Sequence, residues 1–170
     1  PGNYTVTVTD INSCSASASS TITQPSALIL TNTTTTISCN GGNNGAVDLT
    51  VAGGTSGYTY NWSNGSTTQD ITSLTSGNYT VTVSDANACT ATSTINVYQP
   101  NSITITPLVT PVSCNGLSDG TISLSISGGT GTYTYNWGGG VTTQNRTNVA
   151  AGNYNVTVTD ANSCTASALV

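Results

Sequence analysis

Residues 77–85 read GNYTVTVSD, and the class of fold can be inferred from this segment. Tyr79, Val81 and Val83 alternate with threonine and serine, which is the two-residue period of a β-strand with one buried face. A Gly-Asn pair stands in front of the alternation and an Asp-Ala-Asn sequence follows it, and both are typical of turns. The stretch therefore predicts a half-buried strand between two tight turns.

Nearly the same stretch occurs three times in the chain. It begins at positions 2, 77 and 152, so that successive copies are equally spaced. A fixed period of about 75 residues predicts tandem structural repeats. Other residues recur at the same spacing: Cys14, Cys89 and Cys164; Cys39 and Cys114; Trp62 and Trp137; Pro25 and Pro100.

Boundaries between repeats are expected at two Gln-Pro pairs, because proline ends the hydrogen-bonded ladder of the β-rich run before it. Pro25 and Pro100 are the prolines of these pairs. The chain then divides into the C-terminal strands of a truncated repeat at residues 1–25, a complete β-sandwich repeat at 26–100, and a third repeat at 101–170 that lacks most of its last strand.

Each repeat contains further alternating segments separated by turn signals. Examples are the alternation of Val47, Leu49 and Val51 and, after a Gly-Gly turn, that of Tyr58, Tyr60 and Trp62. Six or seven short strands per repeat, with no helical period, are typical of an all-β fold. We predict tandem immunoglobulin-like β-sandwich repeats of about 75 residues, without helices.

Four aromatic residues are predicted to belong to the structural core. Trp62 and Trp137 occupy the place of the core tryptophan on the third strand of an immunoglobulin-like sandwich. Tyr79 and Tyr154 end a pattern that resembles a tyrosine corner, in which the hydroxyl bonds to upstream backbone. Stacking on sugars is the functional alternative, but alternating aromatics on a predicted inner face are typical of a core.

Composition argues against most catalytic chemistry. The chain has no His, Glu or Lys; Arg146 and six Asp are its charged side chains, and its formal net charge is −5. Ser–His–Asp and Cys–His mechanisms need a His, and nucleic-acid binding needs basic groups. We therefore expect no enzyme, no cofactor and no nucleic-acid partner. Without a run of about 18 apolar residues, we also expect no membrane insertion of this segment.

An ordered series of motifs covers nearly the whole chain: Ser38-Cys39-Asn40-Gly41, Gly53-Gly54, Tyr58-x-Tyr60-x-Trp62-Ser63-Asn64-Gly65 and Leu74-x-x-Gly77-x-Tyr79. It returns from Ser113 to Cys164, with one departure where Gly-Gly-Gly follows Trp137. The series resembles the SprB-type repeat of very large surface adhesins of gliding Bacteroidota and of related secreted proteins. The resemblance implies export to the cell surface and a role in adhesion or gliding, and it supplies no catalytic residues.

These observations predict a structural and adhesive repeat protein of the cell surface, extracellular in location, that forms an extended stalk or filament. Its expected partners are surface glycans or other adhesion targets and neighbouring repeats of the same chain. Two alternatives stay open. A carbohydrate-binding module would expose aromatics such as Trp62 or Tyr60. A self-polymerising extracellular fibre subunit would associate laterally through edge strands that carry threonine and serine instead of charges.

A short acidic turn precedes the last strand of each repeat and is a candidate calcium site. Asp85 and Asn87, and again Asp160 and Asn162, place oxygen atoms at alternate positions, as calcium loops do. One carboxylate per loop is few for an ion that takes six or more oxygens. The favoured interpretation is a turn in which Asp and Asn bond to local backbone.

Three pairings of the five cysteines are compatible with the sequence. Pairing within each repeat gives Cys39–Cys89 and Cys114–Cys164, which completes every repeat on its own. Pairing across an expected boundary between repeats gives Cys14–Cys39 and Cys89–Cys114. A third arrangement, Cys39–Cys164, staples neighbouring repeats and suits a strand order that puts the two cysteines of one repeat at opposite ends. We favour pairing within the repeat.

Chelation of metal ions is expected to leave the fold unchanged, because the acidic turns offer too few ligands for calcium. Excess EDTA should alter neither the circular dichroism spectrum nor the melting temperature. A melting temperature that falls by many degrees with EDTA and recovers with calcium would instead identify Asp85 and Asn87 as ligands.

Overall fold

The fold consists of fourteen β-strands joined by turns. The computed structural model describes residues 1–170 and contains no helix, which confirms the prediction of an all-β fold. No element is a helix with the length and hydrophobicity that crossing a membrane requires. The strands are β1 (Gly2–Thr9), β2 (Ser15–Ile22), β3 (Ile29–Thr35), β4 (Gly45–Ala52), β5 (Thr59–Trp62), β6 (Ile71–Leu74), β7 (Gly77–Ser84), β8 (Thr90–Val97), β9 (Thr104–Thr110), β10 (Gly120–Ser127), β11 (Thr134–Asn136), β12 (Arg146–Val149), β13 (Asn155–Thr159) and β14 (Thr165–Leu169).

The strands form five small sheets, and one pair of sheets occurs twice. β1 and β2 form an antiparallel hairpin. The sheets β3-β4-β6 and β5-β7-β8 have the same strand order as the sheets β9-β10-β12 and β11-β13-β14. Burial along β4 and β10 is also identical position by position. The recurring sequence motifs therefore produce recurring local structure.

The chain forms two compact units. The first comprises residues 1–32, 49–69 and 80–93, and the second comprises residues 33–48, 70–79 and 94–170. The repeat boundaries expected after residues 25 and 100 stay a prediction.

In the second unit, strands β9 to β14 enclose a hydrophobic core. Alternate residues of β10 and β13 are buried in it while the serines between those of β10 face solvent, as the pleat of a strand requires. Buried side chains of this size each contribute roughly 1.5–3 kcal/mol. The core residues are Ile122, Leu124, Trp137, Val149, Val156 and Val158.

The first unit buries four side chains that are equivalent to members of this core. Leu49, Val81 and Val83 are inaccessible to solvent, and Trp62 is 2 % exposed. Trp62 pairs with Val81 across β5 and β7, and its indole N–H donates to the Thr68 carbonyl oxygen at 2.9 Å. The aromatic ring is thus buried with its one polar atom satisfied.

Both tyrosines of the expected corners bond to backbone four residues upstream. The Tyr79 hydroxyl donates to the Thr75 carbonyl oxygen at 3.0 Å, and the Tyr154 hydroxyl donates to that of Ala150 at 2.9 Å. The guanidinium of Arg146 lies 4.7 Å from the centre of the Tyr154 ring, a distance typical of a cation–π contact. Tyr154 is therefore held at its hydroxyl and at its ring face.

Replacing Tyr154 by phenylalanine is expected to lower the free energy of unfolding by about 0.5–1.5 kcal/mol, because one hydrogen bond is lost. Urea denaturation measures this change. Tyr98→Phe is the matched control, because Tyr98 is 66 % exposed. Equal effects of the two substitutions would show that the Tyr154 hydroxyl does not stabilise the fold.

Candidate functional site

A disulfide between Cys39 and Cys164 joins two turns that are 125 residues apart in sequence. Both cysteines belong to the second compact unit. Their Cα atoms are 5.6 Å apart, within the usual range of about 4.4–6.8 Å for a disulfide. Cys39 precedes the residue-100 boundary predicted from the sequence and Cys164 follows it. The bond is therefore the strongest candidate for a feature that determines function.

The Cys39 loop (residues 38–41) is braced by Asn44. Its side-chain oxygen accepts the Ser38 N–H at 3.1 Å, and its amide donates to the Ser38 hydroxyl at 2.7 Å. The Gly42 N–H closes the turn on the Cys39 carbonyl oxygen at 3.0 Å. Gly41 has a φ of 76°, a conformation that favours glycine. The Ser-Cys-Asn-Gly sequence is therefore suited to a rigid turn that presents the cysteine.

The segment that contains the second Gln-Pro pair holds the Cys39 loop from the other side. The Gln99 side-chain oxygen accepts the Gly41 N–H at 2.8 Å, and the Pro100 carbonyl oxygen accepts the Asn40 amide at 3.0 Å. The Ile37 N–H, just before the loop, donates to the backbone of Tyr98 at 2.9 Å. The loop is thus fixed to the chain that leads into β9.

The Cys164 turn (residues 160–164) is organised by the carboxylate of Asp160. One carboxylate oxygen accepts the N–H groups of Asn162 and Cys164, each at 2.9 Å, and the other accepts the Thr130 N–H at 2.8 Å. Ser163 has a φ of 65°, as a tight turn requires at this position. Asp160 is buried, so its charge is compensated by backbone donors instead of water.

The two turns also contact each other through polar groups. The Asn162 amide donates to the Ser38 carbonyl oxygen at 3.1 Å. The Cys164 sulfur lies 3.3 Å from the same oxygen, a contact without a proton because the sulfur belongs to the disulfide. Beside them is a cavity of about 350 Å³, whose wall includes Asn40, Asp160 and residues 100–103. The disulfide is therefore accompanied by a specific non-covalent interface.

A glycine allows the chain to pass closely behind this interface. Gly128 has a φ of 78°, and a Cβ atom there would overlap the Ser102 carbonyl oxygen. The following N–H, that of Gly129, donates to the Asn101 carbonyl oxygen at 2.8 Å. The repeated Gly-Gly pair thus places the end of β10 against the segment that carries the cavity wall.

The Cys89 turn (residues 85–89) has the same hydrogen bonds one repeat earlier. Asp85 accepts the N–H groups of Asn87 and Cys89 with one oxygen and that of Thr55 with the other, at 2.8–2.9 Å. The Asn87 amide donates to the Thr55 hydroxyl at 2.9 Å. The Cys89 thiol is free and exposed. The turn geometry is thus independent of the disulfide.

Backbone donors stabilise the ionised form of both aspartates. The Thr55 N–H has the largest effect in lowering the pKa of Asp85, and those of Cys89 and Asn87 add to it against the opposing effect of burial. Burial is the largest single influence on the pKa of Asp160 and raises it, but three N–H donors together outweigh it and the pKa is lowered. Both carboxylates are therefore charged at neutral pH.

The structure corrects the favoured disulfide pairing. Cys39–Cys89 and Cys114–Cys164 are not formed: Cys39 bonds to Cys164, and Cys89 and Cys114 are free, as is Cys14. The physical reason is visible in the third repeat. The hydrogen bonds that position the Cys164 turn are made near the C-terminal end of β10, which lies beside the N-terminal end of β9. Cys114 instead follows the C-terminal end of β9. Seven residues at ~3.3 Å each separate those ends, far beyond the reach of a disulfide.

The calcium candidates Asp85, Asn87, Asp160 and Asn162 lie in these turns. All four oxygens of the two carboxylates accept backbone N–H groups. No cluster of three or more potential metal-ligating His, Cys, Asp or Glu side chains is found in the chain. The aspartates act as acceptors that shape the turn.

Sequence reasoning missed Gln99 and Asn44 as residues that build the site, and it considered Asn162 only as part of an acidic turn. Gln99 and Asn162 bond to the Cys39 loop directly, and Asn44 braces it. A signal for Gln99 was available, because Gln precedes the proline in both Gln-Pro pairs. No signal was available for the Asn162 contact, which depends on where the two turns meet in space.

Comparison with known proteins identifies the two segments that carry the Ser-Cys-Asn-Gly loops. Residues 31–67 and residues 106–142 each match the family model described as SprB repeat. These two segments are therefore similar to the SprB repeat. Each match includes the loop cysteine and the buried tryptophan of its repeat and ends before the acidic turn. The Cys39–Cys164 bond therefore starts inside the first matched segment and ends beyond the second.

Other comparisons find only distant similarity. No curated protein matches the chain significantly. Among solved structures, the C-terminal 282-residue fragment of intimin, in complex with the intimin-binding domain of the translocated intimin receptor, is 17 % identical with a TM-score of 0.43. The match covers 87 % of this chain and 64 % of the intimin chain, so the chain spans less than two thirds of that structure.

Stability is expected to fall in acid because of the two turn aspartates. Their folded pKa values are lowered, so their stabilisation is present above the unfolded pKa of about 3.9 and is lost as the pH falls through the folded values. Melting curves between pH 5 and 2 measure the loss. Asp85→Asn with Asp160→Asn should flatten this profile, whereas Asp48→Asn, at an exposed position, should not. Equal profiles for the two variants would refute the role of the turns.

Removal of the disulfide is expected to destabilise the fold by about 2–4 kcal/mol, because the bond closes a long loop in the unfolded chain. Guanidinium unfolding of the Cys39→Ser, Cys164→Ser double variant measures the change. Cys14→Ser, which removes an exposed thiol, should leave stability unchanged. Unchanged stability of the double variant would show that the bond does not constrain the chain.

Proposed function

We propose that this chain is part of a structural and adhesive protein of the bacterial cell surface. Its SprB repeats form an extended, extracellular stalk or filament that serves adhesion or gliding and binds surface glycans or other adhesion targets. Repeats of about 75 residues, with boundaries after residues 25 and 100, are the units of this stalk. Neighbouring repeats act on each other through the joint that contains Cys39 and Cys164.

One observation carries this proposal: the Cys39–Cys164 bond links the first segment that matches the SprB repeat to an acidic turn that follows the second matching segment. A stalk that holds a binding region away from a cell must transmit tension along the chain without separating its units. A covalent bond between successive repeats resists such tension better than a small non-covalent interface. The hydrogen bonds of Gln99, Pro100 and Asn162 to the Cys39 loop add rigidity to the same joint.

The environment of the aromatic residues favours a stalk over a carbohydrate-binding module. Trp62 and Trp137 are buried, and both indole N–H groups donate to backbone carbonyl oxygens. Tyr60 is half-buried, and its hydroxyl is bonded to the Gln69 side chain at 3.1 Å. The two indole rings are buried in the fold, and the polar atoms of all three side chains are bonded within it, which favours a structural role.

The acidic groups support a non-catalytic role. A general acid or base needs a carboxyl or imidazole group that exchanges protons with a substrate near neutral pH. The carboxylates of Asp85 and Asp160 have lowered pKa values and are occupied by backbone donors. The chain has no His or Glu that could take their place.

Single-molecule pulling of the 170-residue chain from its ends tests the load-bearing joint. In oxidised chains, the 125-residue span between the cysteines is expected not to extend and therefore not to add to the measured contour length. The Cys39→Ser, Cys164→Ser variant should gain about 400–450 Å of contour length, at ~3.3–3.6 Å per residue. Ser125→Ala, at an exposed position of β10, is the control and should behave as the unmodified chain. Equal contour lengths for all three chains would remove the basis of the proposal.

Location and adhesion are tested on cells that make the native protein. Antibodies raised against the 170-residue chain are expected to label intact cells. Cells that carry the cysteine double variant should bind a surface normally at rest but detach at lower flow, because only the resistance to force is lost. Labelling that requires permeabilised cells, or equal detachment of variant and parent, would contradict the proposed function.

A further inference from the structure

Three cysteines carry free, exposed thiols: Cys14, Cys89 and Cys114. Cys89 and Cys114 are the equivalents, one repeat away, of the two cysteines that form the observed disulfide. Their surroundings can therefore be compared directly with a joint that is already closed in the same chain.

Cys89 lies at an open pocket of about 420 Å³, the Cys89 pocket, whose wall consists of residues 24–28, Gly54, Asp85, Cys89 and Thr90. The equivalents of these residues one repeat later line the cavity beside Cys164, with the exception of the equivalent of residue 24. In that cavity, Cys39 and Asn40 of the docked loop complete the wall. The Cys89 pocket is thus the same structure without a loop.

The groups that hold a docked loop are present at the Cys89 pocket. Gln24 and Pro25 are the equivalents of the two residues whose oxygens accept hydrogen bonds from the Cys39 loop. Asn87 is the equivalent of the amide that donates to that loop, and in the absence of a loop it donates to Thr55. Each contact of the closed joint therefore has its counterpart.

The Cys114 loop (residues 113–116) is the matching free half. It has the same Ser-Cys-Asn-Gly sequence as the Cys39 loop. Asp119 braces it by accepting the Ser113 N–H at 3.0 Å and the Ser113 hydroxyl at 2.5 Å, as Asn44 braces the docked loop. The loop is therefore preformed before any partner is bound.

We propose that Cys89 and Cys114 are complementary halves of further joints of the same kind. Cys89 forms a disulfide with the cysteine of a Ser-Cys-Asn-Gly loop on another SprB repeat. Cys114 forms one with the cysteine of an acidic turn on another repeat. Each repeat then carries one pocket and one loop, which makes the joints a head-to-tail series. The inference rests on the joint function proposed above and extends it from one joint to a series.

The bond forms by thiol–disulfide exchange with a low-molecular-weight or protein disulfide as the oxidant. The Cys89 thiolate attacks that disulfide and releases one thiol, and the loop thiolate then attacks the mixed disulfide at Cys89 and releases the second. Two protein thiols are oxidised to one disulfide, one oxidant disulfide is reduced to two thiols, and the protons of the protein thiols pass to the released thiols.

A peptide probe tests the recognition of the loop. The probe is the nonapeptide of residues 111–119, PVSCNGLSD, which contains a single thiol. The 170-residue chain is equilibrated with the probe in a glutathione redox buffer, acid-quenched and mapped by mass spectrometry. The measured quantity is the ratio of probe to glutathione bound at each thiol. Because all thiols are read in one molecule, folding and reagent concentration are the same for each.

Cys14 is the internal control. Asp10 accepts the N–H groups of Asn12 and Cys14 at 2.9 and 2.8 Å, so Cys14 lies in the same kind of turn as Cys89. The 170-residue chain contains no equivalent of Gly54, a residue of the pocket wall, for this turn. The probe-to-glutathione ratio at Cys89 should exceed the ratios at Cys14 and Cys114 about tenfold. With an Asn115→Ala probe, this preference should be roughly three- to tenfold smaller, because one hydrogen bond is lost.

Equal ratios at the three thiols, or no effect of Asn115→Ala, would overturn the inference. The Cys39–Cys164 linkage is read in the same map. If it is intact while Cys89 shows no preference, the inference fails and the proposed function does not. If it is absent, the proposed function fails.

A second arm identifies the source of the loop. The chain is oxidised with oxidised glutathione alone and separated on a non-reducing gel. A ladder of multimers linked through Cys89 and Cys114 identifies a second copy as the partner. Monomers that retain the preference for the probe identify a repeat of the same polypeptide. Multimers linked Cys89 to Cys89, or through Cys14, contradict the proposal.

Discussion

The Cys39–Cys164 bond depends on a buried carboxylate that holds one of its cysteines in place. A buried charge needs hydrogen-bond partners, and the carboxylate of Asp160 accepts three backbone N–H groups from two separate segments. This arrangement forms the turn, places it against the Thr130 segment and presents Cys164 within disulfide distance of Cys39. The same carboxylate at Asp85 builds the same turn, so each acidic turn is a prepared disulfide half-site.

The other half-site obeys a simpler constraint. A Ser-Cys-Asn-Gly loop is rigid because a side chain on each side accepts or donates hydrogen bonds, Asn44 within the loop region and Gln99 in the following segment. Two preformed turns lose little conformational freedom when they meet, which favours their covalent linkage. A bond between two turns that are distant in sequence therefore supplements the small hydrophobic cores, and the proposed role under tension rests on this bond.

The two-residue alternation was sufficient to predict the strands, the burial of Trp62 and Trp137 and the absence of helices, because burial on one face of a strand leaves a periodic signal. It was not sufficient to predict the disulfide. Alternation specifies which face of a strand is buried, but not at which end of a sheet a turn lies. The position of a turn depends on long-range contacts, such as the hydrogen bond from Thr130 to Asp160. Such contacts produce no recognisable sequence pattern at either residue.

Non-reducing peptide mapping determines which cysteines are bonded in the native protein. The native protein, with free thiols blocked before extraction, is digested with chymotrypsin, which cuts between the cysteines at Leu, Tyr and Trp residues. We expect a fragment with Cys39 linked to a fragment with Cys164. A fragment in which Cys39 is linked to Cys89 or to Cys14 would contradict it.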